Sequence, residues 1–397
     1  MMTKFLLFFI IGLDAFILIL QTSTISISYH EASLLYGDFS FLQLITQASL
    51  YYFGQNDLAL RLPMILLHML SVLLIYTISK KYLKDDRNRI WLVLLFILLP
   101  GVLSSAILVD SAGLIIFGLL LFVYIYENYS KKHAYILLSL LSVIDGGFVY
   151  LFLSLIFFAL YNKDKIFFIF NTVAFLLSMF LYGIRTDGLP EGYLLDAIGL
   201  YSAVFTPIIF IYIFYILYRR YLTKEIDLLW FISAIVFGFS LLLSFRQSIH
   251  IEHFAPYVIL ALPLAAQTFY SSYRVRLKMF RGKYKTIFAV SLIFLLINSF
   301  VVFFNKELYL FIENPKKHFA YKMHVAKELA SELKKRDVSC VHMDNDMTKR
   351  LKFYGVDKCD MFDVIEYDIH NIEKDNVTIS YKNRPIYSAS VTKINIK

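Results

Sequence analysis

Most of this chain consists of apolar runs that are long enough to cross a lipid bilayer. A spanning helix needs about 20 predominantly apolar residues, and only helices or closed barrels satisfy their backbone hydrogen bonds in lipid. The runs here are continuous rather than alternating, which favours helices. Eleven candidate spans fall at 5–22, 58–79, 90–109, 112–128, 134–144, 148–161, 166–184, 200–218, 227–244, 253–270 and 286–304. The sequence therefore predicts a polytopic all-α membrane protein with about 11 transmembrane helices.

A short charged segment follows the apolar body. Lys, Arg, Asp and Glu make up 17% of the chain, against about 25% in an average soluble protein, yet 31 of the 93 residues in 305–397 are charged. Helical apolar spacing over 319–336, a second short helix over 349–354, and strand-like runs near 338–342 and 377–381 predict a small α/β domain. We expect a transmembrane domain over 1–304 and this domain over 305–397. It contains both cysteines, Cys340 and Cys359, and the spacing leaves open whether they form a disulfide or remain thiols.

The basic residues predict the orientation of the spans. Short loops rich in Lys and Arg face the cytoplasm, and nineteen basic residues fall on one set of span ends, against Arg61, Arg185 and Arg246 on the other. The N-terminus is then cytoplasmic, and an odd number of crossings places 305–397 outside. The net charge of +9 is mostly a consequence of this distribution, so it does not indicate nucleic-acid binding.

Few polar groups remain for chemistry on the predicted outer face, and ionisable groups at membrane depth are functional candidates by default. They are His30, Glu31, Arg61, Asp110, Asp145, Arg185, Arg246, His250 and His253. Each also has a plainer interpretation. Asp145-Gly146-Gly147 is typical of a polar turn, Arg61 and Arg185 can extend to lipid headgroups, and His30-Glu31 can be ordinary surface.

Three stretches resemble one family of membrane enzymes. They are NDLALRLPMILLHMLSVLLIYTISKKYL (56–83), RQSIHIEHFAPYVILALPLAAQ (246–267) and DMTKRLKFYGV (346–356). Together with the span layout they resemble the GT-C superfamily of glycosyltransferases, in particular its protein mannosyltransferase and lipid A aminoarabinose transferase branch. The resemblance implies a polyprenyl-phosphate sugar and membrane lipid as partners. It also implies the bacterial inner membrane as the location, with a periplasmic C-terminal domain.

The resemblance also implies site residues, with one departure from the family pattern. Members of this branch usually carry Asp-Glu in the first outer loop, where this chain has His30-Glu31, so Glu31 with His30 is the expected base pair and Asp110 the second carboxylate. Positive charge for the donor phosphate is expected from a set of basic residues. This set is Arg246, Arg185, Arg61 and His250. The resemblance leaves open whether a divalent cation takes part. If one does, Glu31 and Asp110 are its expected ligands.

Two functions follow from these expectations. The first is transfer of a sugar from a polyprenyl-phosphate donor to an acceptor at the periplasmic face of the inner membrane. The second is a non-catalytic membrane protein, such as a relative whose active site has decayed, a carrier of lipid-linked glycans or an assembly partner. The His30 departure favours the second, and the overall layout favours the first.

Overall fold

In a computed structural model, residues 2–183, 192–367 and 377–393 are described. The chain divides into two compact units. One comprises Met1–Phe16 and Met64–Ser299, and the other comprises Ile17–Pro63 and Phe300–Lys397. We call the first the helical unit and the second the composite unit. The domain boundary predicted between residues 304 and 305 remains a prediction.

Helices dominate the chain up to Phe303. In order they are α1 (Met2–Thr24), α2 (Tyr29–Tyr36), α3 (Phe41–Phe53), α4 (Asp57–Tyr82), α5 (Asp86–Leu98), α6 (Pro100–Ile107), α7 (Ser111–Asn128), α8 (Lys131–Ile144), α9 (Val149–Asn162), α10 (Lys165–Tyr182), α11 (Leu194–Phe205), α12 (Pro207–Thr223), α13 (Leu228–Ser244), α14 (Ile251–Ile259), α15 (Leu262–Val275) and α16 (Arg281–Phe303). Each predicted apolar run coincides with one of these helices or with a consecutive pair, which confirms the polytopic helical fold.

Helix length and composition alone identify fewer candidate crossings than the predicted eleven. Among the described residues, six helices or continuous helix pairs can span a bilayer, or up to eight if the bent pairs α5–α6 and α11–α12 each count as one span. The bends are 62° and 107°. Both occur where a proline, Pro100 or Pro207, begins the second helix, because proline disfavours helical backbone at the residue before it. Leu99 is extended, and Thr206 has a φ of +65°. Helices α8, α9 and α13 have only 14, 14 and 17 residues, so the exact count stays a prediction.

The loop ends of the helical unit sort into two groups that agree with the predicted alternation. The basic ends contact one another through Lys81 and Glu127 (2.8 Å), Lys131 and Asp164 (2.7 Å), and Arg274 and Asp85 (2.9 Å). The other group is joined through Ser111 and Asp145 (2.8 Å), Tyr257 and Gly147 (2.7 Å), and Tyr193 and Ser244 (2.8 Å). Ends predicted to share a membrane side therefore meet in space.

The composite unit holds a four-stranded sheet. Its strands are β1 (Cys340–His342), β2 (Asp357–Tyr367), β3 (Val377–Tyr381) and β4 (Arg384–Lys393). They lie in the order β1-β2-β4-β3, with β1 parallel to β2 and the other pairs antiparallel. Helices α17 (Ala326–Lys335) and α18 (Asn345–Phe353) complete the predicted α/β arrangement. Cys340 and Cys359 form a disulfide between the adjacent strands β1 and β2.

The helix predicted over 319–336 begins later than expected. Its first part is a short 3₁₀ turn, Tyr321–Met323, and α17 starts at Ala326. Local side-chain contacts compete with helix formation here, because the Ala320 N–H donates to Nδ1 of His318 (2.9 Å).

Two buried histidines just after α16 are held in the neutral form by their hydrogen bonds. His318 Nε2 donates to the carbonyl of Asn305 (2.8 Å). His324 Nε2 donates to Oδ1 of Asn305 (3.1 Å), while its Nδ1 accepts from the Tyr309 hydroxyl (3.0 Å). Each ring thus needs one N–H and one lone pair. Burial lowers the pKa of His318, and burial followed by the nearby charge of Lys306 lowers the pKa of His324 to about 3.

We expect the composite unit to lose stability in mild acid. Both histidines have lower pKa values folded than unfolded, so their contribution is complete above the ordinary histidine pKa of about 6.5 and is lost progressively as the pH falls. Thermal unfolding of the purified chain between roughly pH 7 and pH 5 measures this loss. His324→Gln keeps a donor and an acceptor but cannot titrate, and it should flatten the profile. An unchanged slope in this variant would contradict the assignment.

Candidate active site

A buried ion pair fixes the start of the predicted outer loop. Glu31 and Arg61 are 1% and 0% exposed, and they form a bidentate pair in which Nε donates to Oε1 (2.9 Å) and Nη2 donates to Oε2 (2.8 Å). The other guanidinium protons go to carbonyls at and just after the end of α1. These are Thr22 (3.2 Å), Ile25 (2.7 Å) and Ser26 (3.0 Å). All five donors of Arg61 are therefore engaged.

Glu31 also belongs to the N-terminal cap of α2. Its Oε2 accepts from the Ser28 N–H (2.8 Å), and the Ser28 hydroxyl accepts from the Glu31 N–H (3.2 Å), which is a capping box. Arg61 thus has no N–H group left for the phosphate of a sugar donor, and its side chain does not extend to the lipid surface. Both interpretations of Arg61 from the sequence therefore disagree with its contacts. Glu31, held by Arg61 and by the cap, fits a positioning role better than that of a base.

A second polar cluster ties the start of α4 to the C-terminal helices. The Asp57 carboxylate accepts from the Tyr354 hydroxyl (2.5 Å) and from Nζ of Lys327 (2.6 Å). The same Tyr354 oxygen accepts from the Ile27 N–H (2.9 Å). Burial, followed by the charge of Asp57, raises the pKa of Tyr354 well above its ordinary value, so this phenol stays protonated. These contacts fix the polypeptide on both sides of α2.

His30 is exposed beside this buried framework. The preceding residue, Tyr29, has Nζ of Lys349 at 5.4 Å from its ring centroid, and Lys352 lies 4.6 Å from the ring of Tyr36 at the other end of α2. These lysines of α18 bring positive charge to the helix that carries His30. Both lie in the stretch 346–356 that resembles the family. No local signal in the sequence marks them as site residues, because only tertiary packing sets them against α2.

The remaining predicted residues belong to the helical unit. Asp110 caps α7, where its Oδ1 accepts from the Ala112 N–H (2.8 Å). Arg246 is exposed in the turn after α13, and its side chain makes no ion pair with any residue in the described part of the chain. His250 pairs with Glu252 at 3.2 Å. Arg185 lies outside the described residues.

The predicted turn between α8 and α9 is confirmed. Asp145 caps a 3₁₀ helix, Gly146–Phe148, with Oδ1 accepting from the Gly147 N–H (2.7 Å) and Oδ2 from the Ser111 hydroxyl (2.8 Å). A Cβ on Gly147 would come within 2.3 Å of the Ile115 side chain, so the close packing here requires glycine. Asp145 is thus a turn and capping residue.

The described residues offer no ready-made metal centre. Within 2–183, 192–367 and 377–393 there is no group of three or more His, Cys, Asp or Glu side chains with suitable geometry. Glu31 is bound to Arg61, and Asp110 is engaged in its cap. The chemistry available is that of histidine, of exposed cations and of capped carboxylates.

Comparison with solved structures identifies the fold. The chain superposes on crystal structures of ArnT from Cupriavidus metallidurans, one bound to undecaprenyl phosphate and one in the apo state, with a TM-score of 0.58, 11% identity and 98% of each chain covered in both cases. The chain therefore has the fold of these ArnT structures. The resemblance inferred from the three sequence segments is therefore confirmed for the fold. No family model and no curated protein matches the sequence.

We expect Glu31→Gln and Arg61→Ala to destabilise the protein strongly. Removing one partner leaves a buried charge unpaired, which costs about 3–5 kcal/mol. Replacing both, as in Glu31→Leu with Arg61→Met, should cost less than the sum of the single changes because no charge is stranded. Chemical unfolding in detergent measures the free energies. Asp38→Asn, an exposed carboxylate of the same unit, is the control and should change stability by less than about 0.5 kcal/mol. A stable but inactive Glu31→Gln would instead identify Glu31 as the base.

Proposed function

We propose that this chain is a multi-pass membrane glycosyltransferase that uses an undecaprenyl-phosphate sugar. The observation that carries the proposal is the likeness over the whole length of both chains to ArnT, whose structure was determined with undecaprenyl phosphate bound. Long apolar helices and a small α/β domain are present in the order that the fold requires. The sugar and the acceptor are left unspecified, because both depend on contacts that the fold alone does not define.

His30 is our candidate for the general base. In the transfer, an acceptor oxygen or nitrogen forms a bond to the anomeric carbon, and the bond from that carbon to the phosphate oxygen breaks with its electron pair. The acceptor proton must leave, and a histidine imidazole is the side chain that most often accepts such a proton. His30 is exposed, while Glu31, its neighbour, is held by Arg61. In this proposal Glu31 and Arg61 position the first turn of α2, and His30, which lies in that turn, accepts the proton.

The departing phosphate requires positive charge as its negative charge develops. Arg246 is the leading candidate, because it is exposed and without an acidic partner among the described residues. His250 and Arg185 are proposed beside it from the sequence. Asp110 remains a candidate for orienting the acceptor or a divalent cation. Each role is proposed separately.

One observation favours a second candidate function. The position that usually holds the catalytic aspartate in this branch holds His30, and the adjacent carboxylate is locked in an ion pair. A protein of this fold that binds a polyprenyl phosphate without transferring a sugar would have the same features. It would act as a carrier or an assembly partner.

We expect His30→Ala to slow sugar transfer by about 10²–10⁴-fold, the usual contribution of a general base. The assay supplies undecaprenyl-phosphate hexoses and aminoarabinose, with an envelope extract as acceptor source, and measures release of undecaprenyl phosphate. Arg246→Ala should reduce release by about 10²-fold, with partial recovery in Arg246→Lys. His133→Ala, an exposed histidine at the basic end, is the matched control and should retain full activity. Binding of undecaprenyl phosphate with no release from any donor would favour the non-catalytic function.

We further propose the bacterial inner membrane as the location, with the N-terminus in the cytoplasm and the C-terminal domain in the periplasm. The asymmetry of the basic loop ends supports this orientation. Alkaline phosphatase fused after Lys397 should be active and a green fluorescent protein fusion dark, because the first requires export and the second fails to fold after it. The reverse pattern would place the site residues on the cytoplasmic side and remove the proposed donor.

A further inference from the structure

A large polar cavity opens at the basic end of the helical unit, among the helix ends that the proposed function does not use. Its volume is about 1040 Å³, and it is lined by the C-terminal ends of α4, α12 and α15 and by the start of α16. Its basic lining residues are Lys81, Arg219, Arg220 and Arg276, and its acidic ones are Glu225 and Asp227. Cations therefore outnumber acids.

The acids leave two of these cations unneutralised. Lys81 is paired with Glu127 (2.8 Å), and Asp227 caps α13 and accepts from the Tyr82 hydroxyl (2.9 Å). Arg219 makes no ion pair with a described residue, and Arg276 lies over the ring of Tyr284 at 4.5 Å without an acidic partner there. Some other basic groups of this end, such as Lys131 and Arg274, do have acidic partners.

Arg220 adds a buried charge to the same lining. It is 6% exposed, and its nearest carboxylate, Oδ2 of Asp227, is 4.0 Å from Nη1. Nη2 donates to Gln267, Nη1 donates to the Glu225 carbonyl (3.4 Å), and Nε has no acceptor in the described part of the chain. A buried guanidinium with a loose ion pair and an unsatisfied N–H is costly. An added anion would relieve that cost.

The remaining lining and the neighbouring surface indicate which anion. Ser271 and Ser272 line the cavity, and serine hydroxyls can donate to phosphate oxygens. The cavity lies at the ends of helices such as α4, which is long and apolar enough to span a bilayer. Phospholipid headgroups are therefore the phosphates most concentrated beside it.

We infer that this cavity binds the phosphate group of an anionic glycerophospholipid, from the leaflet at the Lys- and Arg-rich end of the helices. Basic pockets between transmembrane helices on the cytoplasmic side bind such headgroups. The residues involved are Arg219, Arg220 and Arg276. None of them is among the residues proposed for sugar transfer, so this site stands whether or not the chain is a transferase.

The test uses the full chain in neutral detergent, titrated with phosphatidylglycerol that carries a fluorescent acyl chain and followed by anisotropy. We expect saturable binding, weakened by roughly tenfold or more in Arg219→Gln with Arg276→Gln, since each loses a charge-assisted contact. The control is Lys132→Gln with Lys165→Gln. It removes the same charge from exposed positions of the same end outside the cavity lining, and should keep affinity within about twofold.

Three outcomes would overturn the inference, in whole or in part. Equal weakening in the two double variants would mean that diffuse surface charge, not the cavity, binds the lipid. Phosphatidylcholine competing as well as phosphatidylglycerol would exclude recognition of an anionic headgroup. Inorganic phosphate binding with the same dependence on Arg219 and Arg276, in the absence of lipid binding, would keep the phosphate site and overturn its lipid source.

Discussion

The composite unit depends on a guanidinium and a carboxylate that are almost completely removed from water. Burying two charges costs several kcal/mol per ion unless each hydrogen bond is replaced, and Arg61 meets that condition with two carboxylate oxygens and three backbone carbonyls. Those carbonyls lie at and just after the end of α1, whereas Glu31 caps α2 and Arg61 lies in the first turns of α4. One side chain thus fixes the relative placement of three helices, and the exposed position of His30 follows from it.

Local features of the sequence were sufficient for the helices but not for all of the C-terminal domain. Continuous apolar runs define helices because lipid forbids unpaired backbone, and Pro100 and Pro207 mark the two sharp bends. The strand β3 was predicted with its observed bounds. In contrast, β2 was missed because its apolar residues, such as Met361 with Phe362 and Val364 with Ile365, stand next to each other, so no hydrophobic alternation marks it. Its pairing with β1 and β4 is what makes it a strand.

The site shows where sequence reasoning reaches its limit. A lone arginine near the start of an apolar helix is equally compatible with headgroup contact, phosphate binding and a buried ion pair, and only the position of Glu31, thirty residues away, distinguishes them. A second pair carried a clearer signal. Asp14 lies within the first apolar run and binds His68 of α4 at 2.9 Å, both being about 6% exposed. An ionisable group inside a span requires a partner, so Asp14 could have been paired in advance with a polar residue of a neighbouring span.

The basic residues at the polar ends of the helical unit differ in whether an acid neutralises them. The basic end must stay outside the hydrocarbon, and some of its lysines and arginines, such as Lys81 and Lys131, are neutralised by nearby acids. Neutralised pairs still keep the end in water but attract an anion only weakly, because the acid cancels most of the field of its cation at distances larger than their separation. A cation without such a partner has a different consequence, as at Arg219, Arg276 and Arg246. Its field extends to mobile anions, and the lipid headgroups of the nearest leaflet are the most concentrated anions within reach. Unpaired arginines that line a cavity at the membrane surface are therefore a physical criterion for locating anion-binding surfaces, and at the basic end Arg219 and Arg276 meet it.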